Sequence, residues 1–124
     1  MVDFIKHSQS EEDYLESIFL ISKINSVVHR IDVARKLNVS QAAVNKAVKI
    51  VLEKGYVEED GKHLVLTALG KDYASEIFQK HCIIRDFLIS LGVSEQTAEE
   101  DACRMEHLVS NETFQKMKEK IYEI

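Results

Sequence analysis

The stretch "DACRMEHLVS", Asp101 to Ser110, places a cysteine, a glutamate and a histidine within five residues. On a helix, Cys103, Glu106 and His107 stand as i, i+3 and i+4, so a thiolate, a carboxylate and an imidazole project from one face. Such a face can hold a divalent metal, although three donors do not complete an octahedral shell. Two other places offer more donors. Asp13 and Glu16 are spaced i, i+3 beside the apolar stripe of "SEEDYLESIFLI", and His81 lies among apolar neighbours in "FQKHCIIRDFL", where a polar ring needs a partner. Each also has an ordinary reading. Acids favour a helix start, a half-buried histidine finds a hydrogen bond, and a lone cysteine packs as a small hydrophobe.

These donors need helices to carry them, and the chain reads as mainly α. It has no proline and only four glycines in 124 residues, which permits long uninterrupted helices. Ser10 caps a first helix with apolar Tyr14, Leu15, Ile18, Phe19 and Ile21, running to about Lys23. A two-turn helix in "IDVARKLNVS" uses Ile31, Val33, Ala34 and Leu37 and ends near Asn38. Ser40 caps the next, with Val44, Val48, Ile50 and Val51 inward and Gly55 as its stop. The period then changes: Tyr56 to Glu58 and His63 to Leu66 are β-prone runs around Asp60-Gly61, a hairpin signal. Thr67 caps a long helix closing at Gly92, Ser94 begins another from about Glu95 to Val109, and a last one carries Phe114, Met117 and Ile121. The expected domains are 1–71, a winged helix-turn-helix, and 72–124, an all-helical part.

A helix pair followed by a hairpin is the order of a winged helix-turn-helix, whose second helix enters the major groove of DNA. Ser40, Gln41 and Ala42 form the leading edge of that helix, and Asn45, Lys46 and Lys49 share its outward side. An amide there suits an adenine edge and the ammonium groups suit phosphates. Arg30, Arg35 and Lys62 are further candidates for phosphates, against the reading that all of these are ordinary solvated side chains. The net charge of −5 agrees with DNA binding only once it is divided along the chain. From Ser22 to Lys71 there are nine basic residues against five acidic; elsewhere there are seven against sixteen. The basic window coincides with the helix-turn-helix.

The composition, 45% hydrophobic and 30% charged, is that of a globular chain. No apolar run approaches the roughly 18 residues of a membrane span, and the first residues lack the pattern of a secretory signal. With only two cysteines, Cys82 and Cys103, a cytoplasmic location with reduced thiols is expected.

Taken together, "SEEDYLESIFLI", the helix-turn-helix with its wing, "KHCIIRDFL" and "DACRMEHLVS" resemble the DtxR/MntR family of metal-dependent repressors over nearly the whole chain. The run around Cys103 is similar to the iron-responsive diphtheria toxin repressor branch. The resemblance implies a DNA-binding part, a helical dimerisation part, and a divalent metal held between them as co-repressor. Asp13 and Glu16 match first-helix ligands of the manganese branch, His81 a histidine used by both branches, and Cys103, Glu106 and His107 the iron branch. The pattern is therefore a hybrid. It departs from the iron branch's ancillary site at Arg85, where that branch has an acid, and at Glu99, where it has a histidine. With its end at Ile124, the chain is expected to follow the plan of the smaller manganese regulators, without an SH3-like domain.

The expected function is a homodimeric repressor that binds double-stranded operator DNA when Fe(II) or Mn(II) is bound; Zn(II), Co(II) or Ni(II) can occupy the same donors in vitro. The apolar faces of the last three helices, with Ile84, Phe87, Leu88, Leu91 and Leu108, suggest an isologous interface. Two rivals stand beside it. A metalloenzyme would need an open coordination position and a substrate pocket, and no nucleophile or glycine-rich loop accompanies the cluster. A winged-helix regulator without metal would respond to an organic ligand or to an oxidant of Cys103.

Overall fold

A computed structural model describes residues 11–122. Ser10, the expected cap of the first helix, lies outside them. Six helices and one hairpin follow in the order α1 (Glu11–Ile24), α2 (Arg30–Leu37), α3 (Gln41–Glu53), β1 (Val57–Asp60), β2 (His63–Leu66), α4 (Ala68–Ser90), α5 (Glu95–Met105) and α6 (Asn111–Ile121). The described residues fall into two compact units, and the boundary between them, after Glu76, lies within α4.

In the first unit α1, α2 and α3 pack on one another and on the hairpin. Tyr14, Leu15, Ile18 and Ile21 of α1 meet Val33 and Ala34 of α2 and Val44, Ala47, Val48 and Val51 of α3 in one core. The α2–α3 turn is tight because Asn38 adopts φ 54, a left-handed conformation that asparagine tolerates. The Ser40 hydroxyl then accepts the Ala43 amide and starts α3. The two strands pair antiparallel, from Val57 with Leu66 to Asp60 with His63. The turn is therefore Gly61-Lys62, one residue later than expected, and β1 runs on to Asp60. Gly61 takes φ 63 at its first position. Val28, just before α2, adds a single bridge to Leu64 on the other side of β2.

Thr67 joins the hairpin to α4. Its hydroxyl accepts the Gly70 amide and donates to the Gly55 carbonyl. A Cβ on Gly70 would lie 1.9 Å from the Tyr56 carbonyl oxygen, so only glycine lets the start of α4 come this close to the base of the hairpin.

In the second unit Ile77, Ile83, Ile84, Ala98 and Ala102 are buried, while α6 buries no residue completely. Three expectations change. Ile84 is fully enclosed within its own chain and offers nothing to an interface, whereas Leu91 and Leu108 are exposed. Helix α5 stops at Met105 and not near Val109, because the amides of Leu108 and Val109 both turn back to the Met105 carbonyl before Ser110 caps α6. On the faces of α2 and α3, Ile31 is exposed and Ile50 only half-buried, so the inward stripes are narrower than their apolar spacing suggested.

Candidate metal centre and nucleic-acid interface

His81 leaves α4 among apolar residues and is buried, so both of its ring nitrogens require partners. They have them. Nδ1 lies 3.0 Å from Oε2 of Glu106, and Nε2 lies 2.8 Å from Oε2 of Glu99. The Glu106 hydrogen bond is the main cause of a His81 pKa raised to about 9; burial opposes it and the Glu99 contact adds to it. Below that pKa the ring is an imidazolium, and each nitrogen donates to the carboxylate it faces.

Glu106 follows the last turn of α5 with right-handed helical backbone, which keeps its side chain on the same side as Cys103 although the helix proper has ended. It is 3% exposed. Its Oε2 faces His81, but its buried Oε1 makes no hydrogen bond. His107 Nε2 stands 3.4 Å from that oxygen, an ion-pair distance without hydrogen-bond geometry. A ligand atom of Cys103, which lies at the surface, comes within 4.8 Å of a Glu106 carboxylate oxygen. A buried carboxylate oxygen without a hydrogen bond is costly unless something positive completes it. A divalent cation fits that need. Carboxylate, imidazole and thiolate are all donors for late first-row divalent ions.

Of the donors expected from the sequence, His81, Cys103 and His107 stand around the buried carboxylate of the fourth, Glu106. Asp13 and Glu16, in the first unit, are both buried, one turn apart on α1. Glu99 and Arg85, expected only as departures from an ancillary site, also take part. Glu99 bridges His81 and Arg85, whose guanidinium donates from NH1 to Glu99 Oε1 at 3.0 Å. The Glu99 carboxyl is held below the usual carboxylate range by hydrogen bonds from Arg85 and His81, which outweigh its partial burial. A signal existed: Arg85 lies four residues after His81 and Glu99 four before Cys103, the spacing that lines one helical face.

The nucleic-acid candidates lie in the first unit. Gln41, Ala42, Asn45, Lys46 and Lys49 are all exposed and form one stripe along α3, whose sole acid is Glu53 at its far end. Ser40 is exposed but its hydroxyl is committed to the cap. Arg35 is exposed on α2, and Lys62 is exposed in the hairpin turn. Arg30 is engaged instead with Glu59 of β1 at 3.0 Å, tying the start of α2 to the wing.

Residues 6–64 match the family model "Iron dependent repressor, N-terminal DNA binding domain", and residues 67–123 match "Iron dependent repressor, metal binding and dimerisation domain". A transcriptional regulator of the helix-turn-helix type from Methanocaldococcus jannaschii, itself uncharacterised, is 40% identical over 114 residues, covering 90% of this chain and 91% of its own. The transcriptional regulator MntR of Escherichia coli is 38% identical over 104 residues, 83% of this chain and 67% of its own. Among solved structures, the metal-dependent transcriptional regulator MtsR superposes with a TM-score of 0.84 at 30% identity. That match covers 93% of this chain but 54% of the solved one, so the chain spans about half the length of that protein. On both family models and on relatives of this identity and coverage, the chain belongs to the iron dependent repressor family of transcriptional regulators.

Proposed function

We propose that the protein is a homodimeric, metal-activated repressor whose divalent ion is held by Asp13, Glu16, His81, Cys103, Glu106 and His107. Fe(II) is the first candidate, since both thiolate and carboxylates accept it, and Mn(II) is the second. The observation that carries this reading is Glu106: a buried carboxylate with one oxygen on His81 and the other without a hydrogen bond, flanked by Cys103 and His107. The bound ion would supply a fixed positive charge that several anionic donors can share. His81 must give up a proton to become a ligand, and the carboxylate facing its other ring nitrogen then keeps the neutral ring oriented.

The ligand set takes Asp13 and Glu16 from the unit that carries α3 and the other four from the unit that carries the dimerisation helices. Coordinating all of them restrains one unit against the other. In a dimer this sets the spacing of two α3 helices, and two half-sites about one DNA turn apart demand a fixed spacing. Restraint imposed beforehand also lowers the entropy still to be lost on DNA. At the operator, Asn45 and Gln41 read base edges while Lys46, Lys49, Arg35 and Lys62 neutralise phosphates. Leu91 and Leu108 contribute exposed apolar surface to the interface between copies. Such a protein acts in the cytoplasm, where the DNA is, and has no catalytic role; no helix among the described residues is long and apolar enough to cross a membrane.

Anaerobic titration of chelator-stripped protein with Fe(II), and separately with Mn(II), tests the reading. Specific binding is expected, with an Fe(II) preference beyond the ordinary affinity order that Cys103→Ala removes. Absence of specific binding by either ion would return the thiol or organic-ligand switch to first place.

A further inference from the structure

The segment that starts α2 meets the wing through three consecutive residues. The Val28 carbonyl accepts the Leu64 amide at 2.8 Å, the His29 ring stands edge to face with His63 at 4.7 Å between centroids, and Arg30 Nη2 lies 3.0 Å from Glu59 Oε2. The His29 amide is itself held by Asp32 Oδ2 at 2.9 Å, and Val33, one turn into α2, is fully buried in the core shared with α3. The wing needs such contacts towards its tip. On β1 only Val57 is buried, while Glu58, Glu59 and Asp60 are exposed, so beyond Val57 that strand has left the core. Glu59 pairs across the hairpin with Leu64, and the tip, Gly61-Lys62, begins two residues later. A two-stranded hairpin is marginal on its own.

We infer, on the reading that Lys62 neutralises a phosphate, that Arg30 and Glu59 are positioning residues for DNA binding: their ion pair fixes the outer half of the wing against α2, and so against α3, and thereby sets where the Lys62 ammonium meets the backbone. Arg30 then serves DNA through the wing and not as a phosphate ligand. Glu59, an acid in a DNA-binding unit, favours binding. Charge alone predicts the opposite, since removing an acid near the phosphates strengthens association. An ion pair this exposed contributes little to stability, so its effect is on placement and not on folding.

Binding to random-sequence duplex DNA is measured over a range of salt, with Mn(II) present, for wild type, Lys62→Ala, Glu59→Gln, their double variant and the swap Arg30→Glu/Glu59→Arg. Thermal melting checks folding. Lys62→Ala should lower the slope of log K against log salt by about two, one contact from each subunit. Glu59→Gln should weaken binding and lower the slope equally, and the double variant should fall no further. The swap keeps the net charge and puts an acid at a helix start, where it is favoured; it should restore the wild-type slope. Tighter or unchanged binding by folded Glu59→Gln overturns the positioning role, as does an additive loss in the double variant or a folded swap that stays at the slope of Glu59→Gln. Should Glu59→Gln melt early, Arg30→Gln breaks the same pair, and its loss should likewise vanish once Lys62→Ala is present; an additive loss would make Arg30 a phosphate ligand. A Lys62→Ala slope equal to that of wild type overturns the phosphate reading of Lys62 itself, and the placement with it.

Discussion

The two candidate regions, one proposed for DNA and one for metal, handle their polar side chains in opposite ways. Along α3, Gln41, Asn45, Lys46 and Lys49 stand exposed, on a helix whose only acid lies at its end. Around Glu106, buried His81 has both nitrogens engaged and the carboxylate beside it is enclosed. A surface meant for DNA keeps its donors hydrated until phosphates release their own counterions. A site meant for one small ion holds its donors close beforehand, so that little has to be ordered when the ion arrives. The comparison teaches that substitutions in the two regions should separate metal affinity from DNA affinity.

The largest separation is expected from Glu106→Ala, which should lower Mn(II) and Fe(II) affinity by about 100-fold, the upper end for disturbing a metal site. Equilibrium dialysis reads this, and binding to random-sequence duplex DNA without metal should stay within about twofold. The double change Lys46→Ala/Lys49→Ala should act in reverse. Metal affinity holds, while the slope of log K against log salt falls by about four, because each subunit of the dimer loses two phosphate contacts. Equal loss of metal and DNA binding in either variant would break the contrast.

A third, smaller effect concerns the metal-free protein. The His81 pKa is raised in the fold to about 9 from an ordinary 6.5. The imidazolium's contribution to stability is therefore complete below about 6.5 and is lost as pH rises through about 9. Chelator-treated protein should melt at progressively lower temperature across that window, and Glu106→Gln should flatten the dependence. Smallest of all is Ser40→Ala, which removes the cap of α3 and should cost about 1 kcal/mol in chemical denaturation, with metal affinity unaltered.

The elements were legible because they announce themselves locally. Ser40 and Ser94 each cap the helix expected of them, and Asn38 takes the left-handed turn that its residue type permits. The end of α5 was not legible, because no glycine or proline marks it and the chain turns through carbonyls that any residue can supply. Ile84 looked like interface because periodicity tells an apolar face from a polar one but does not say what covers it. Of the candidate metal donors, residue type and spacing pointed to four in the second unit, His81, Cys103, Glu106 and His107, which stand near one another. The hold of Arg85 and Glu99 on His81 escaped, since the spacing of each marks a helix face but the ion pair between α4 and α5 depends on how those helices pack.

The bridge from Val28 to Leu64 bears on how the protein behaves when crowded. A two-stranded hairpin has two open edges, each able to recruit a strand from another chain. Here Val28 covers part of the β2 edge, and β1 carries Glu58, Glu59 and Asp60, all exposed. Strands approaching that edge meet the carboxylates of Glu58 and Asp60, with Glu59 between them held by Arg30. The hairpin is thereby guarded against β-sheet aggregation on both sides, and copies gathered on one stretch of DNA can sit close together without sticking through their wings.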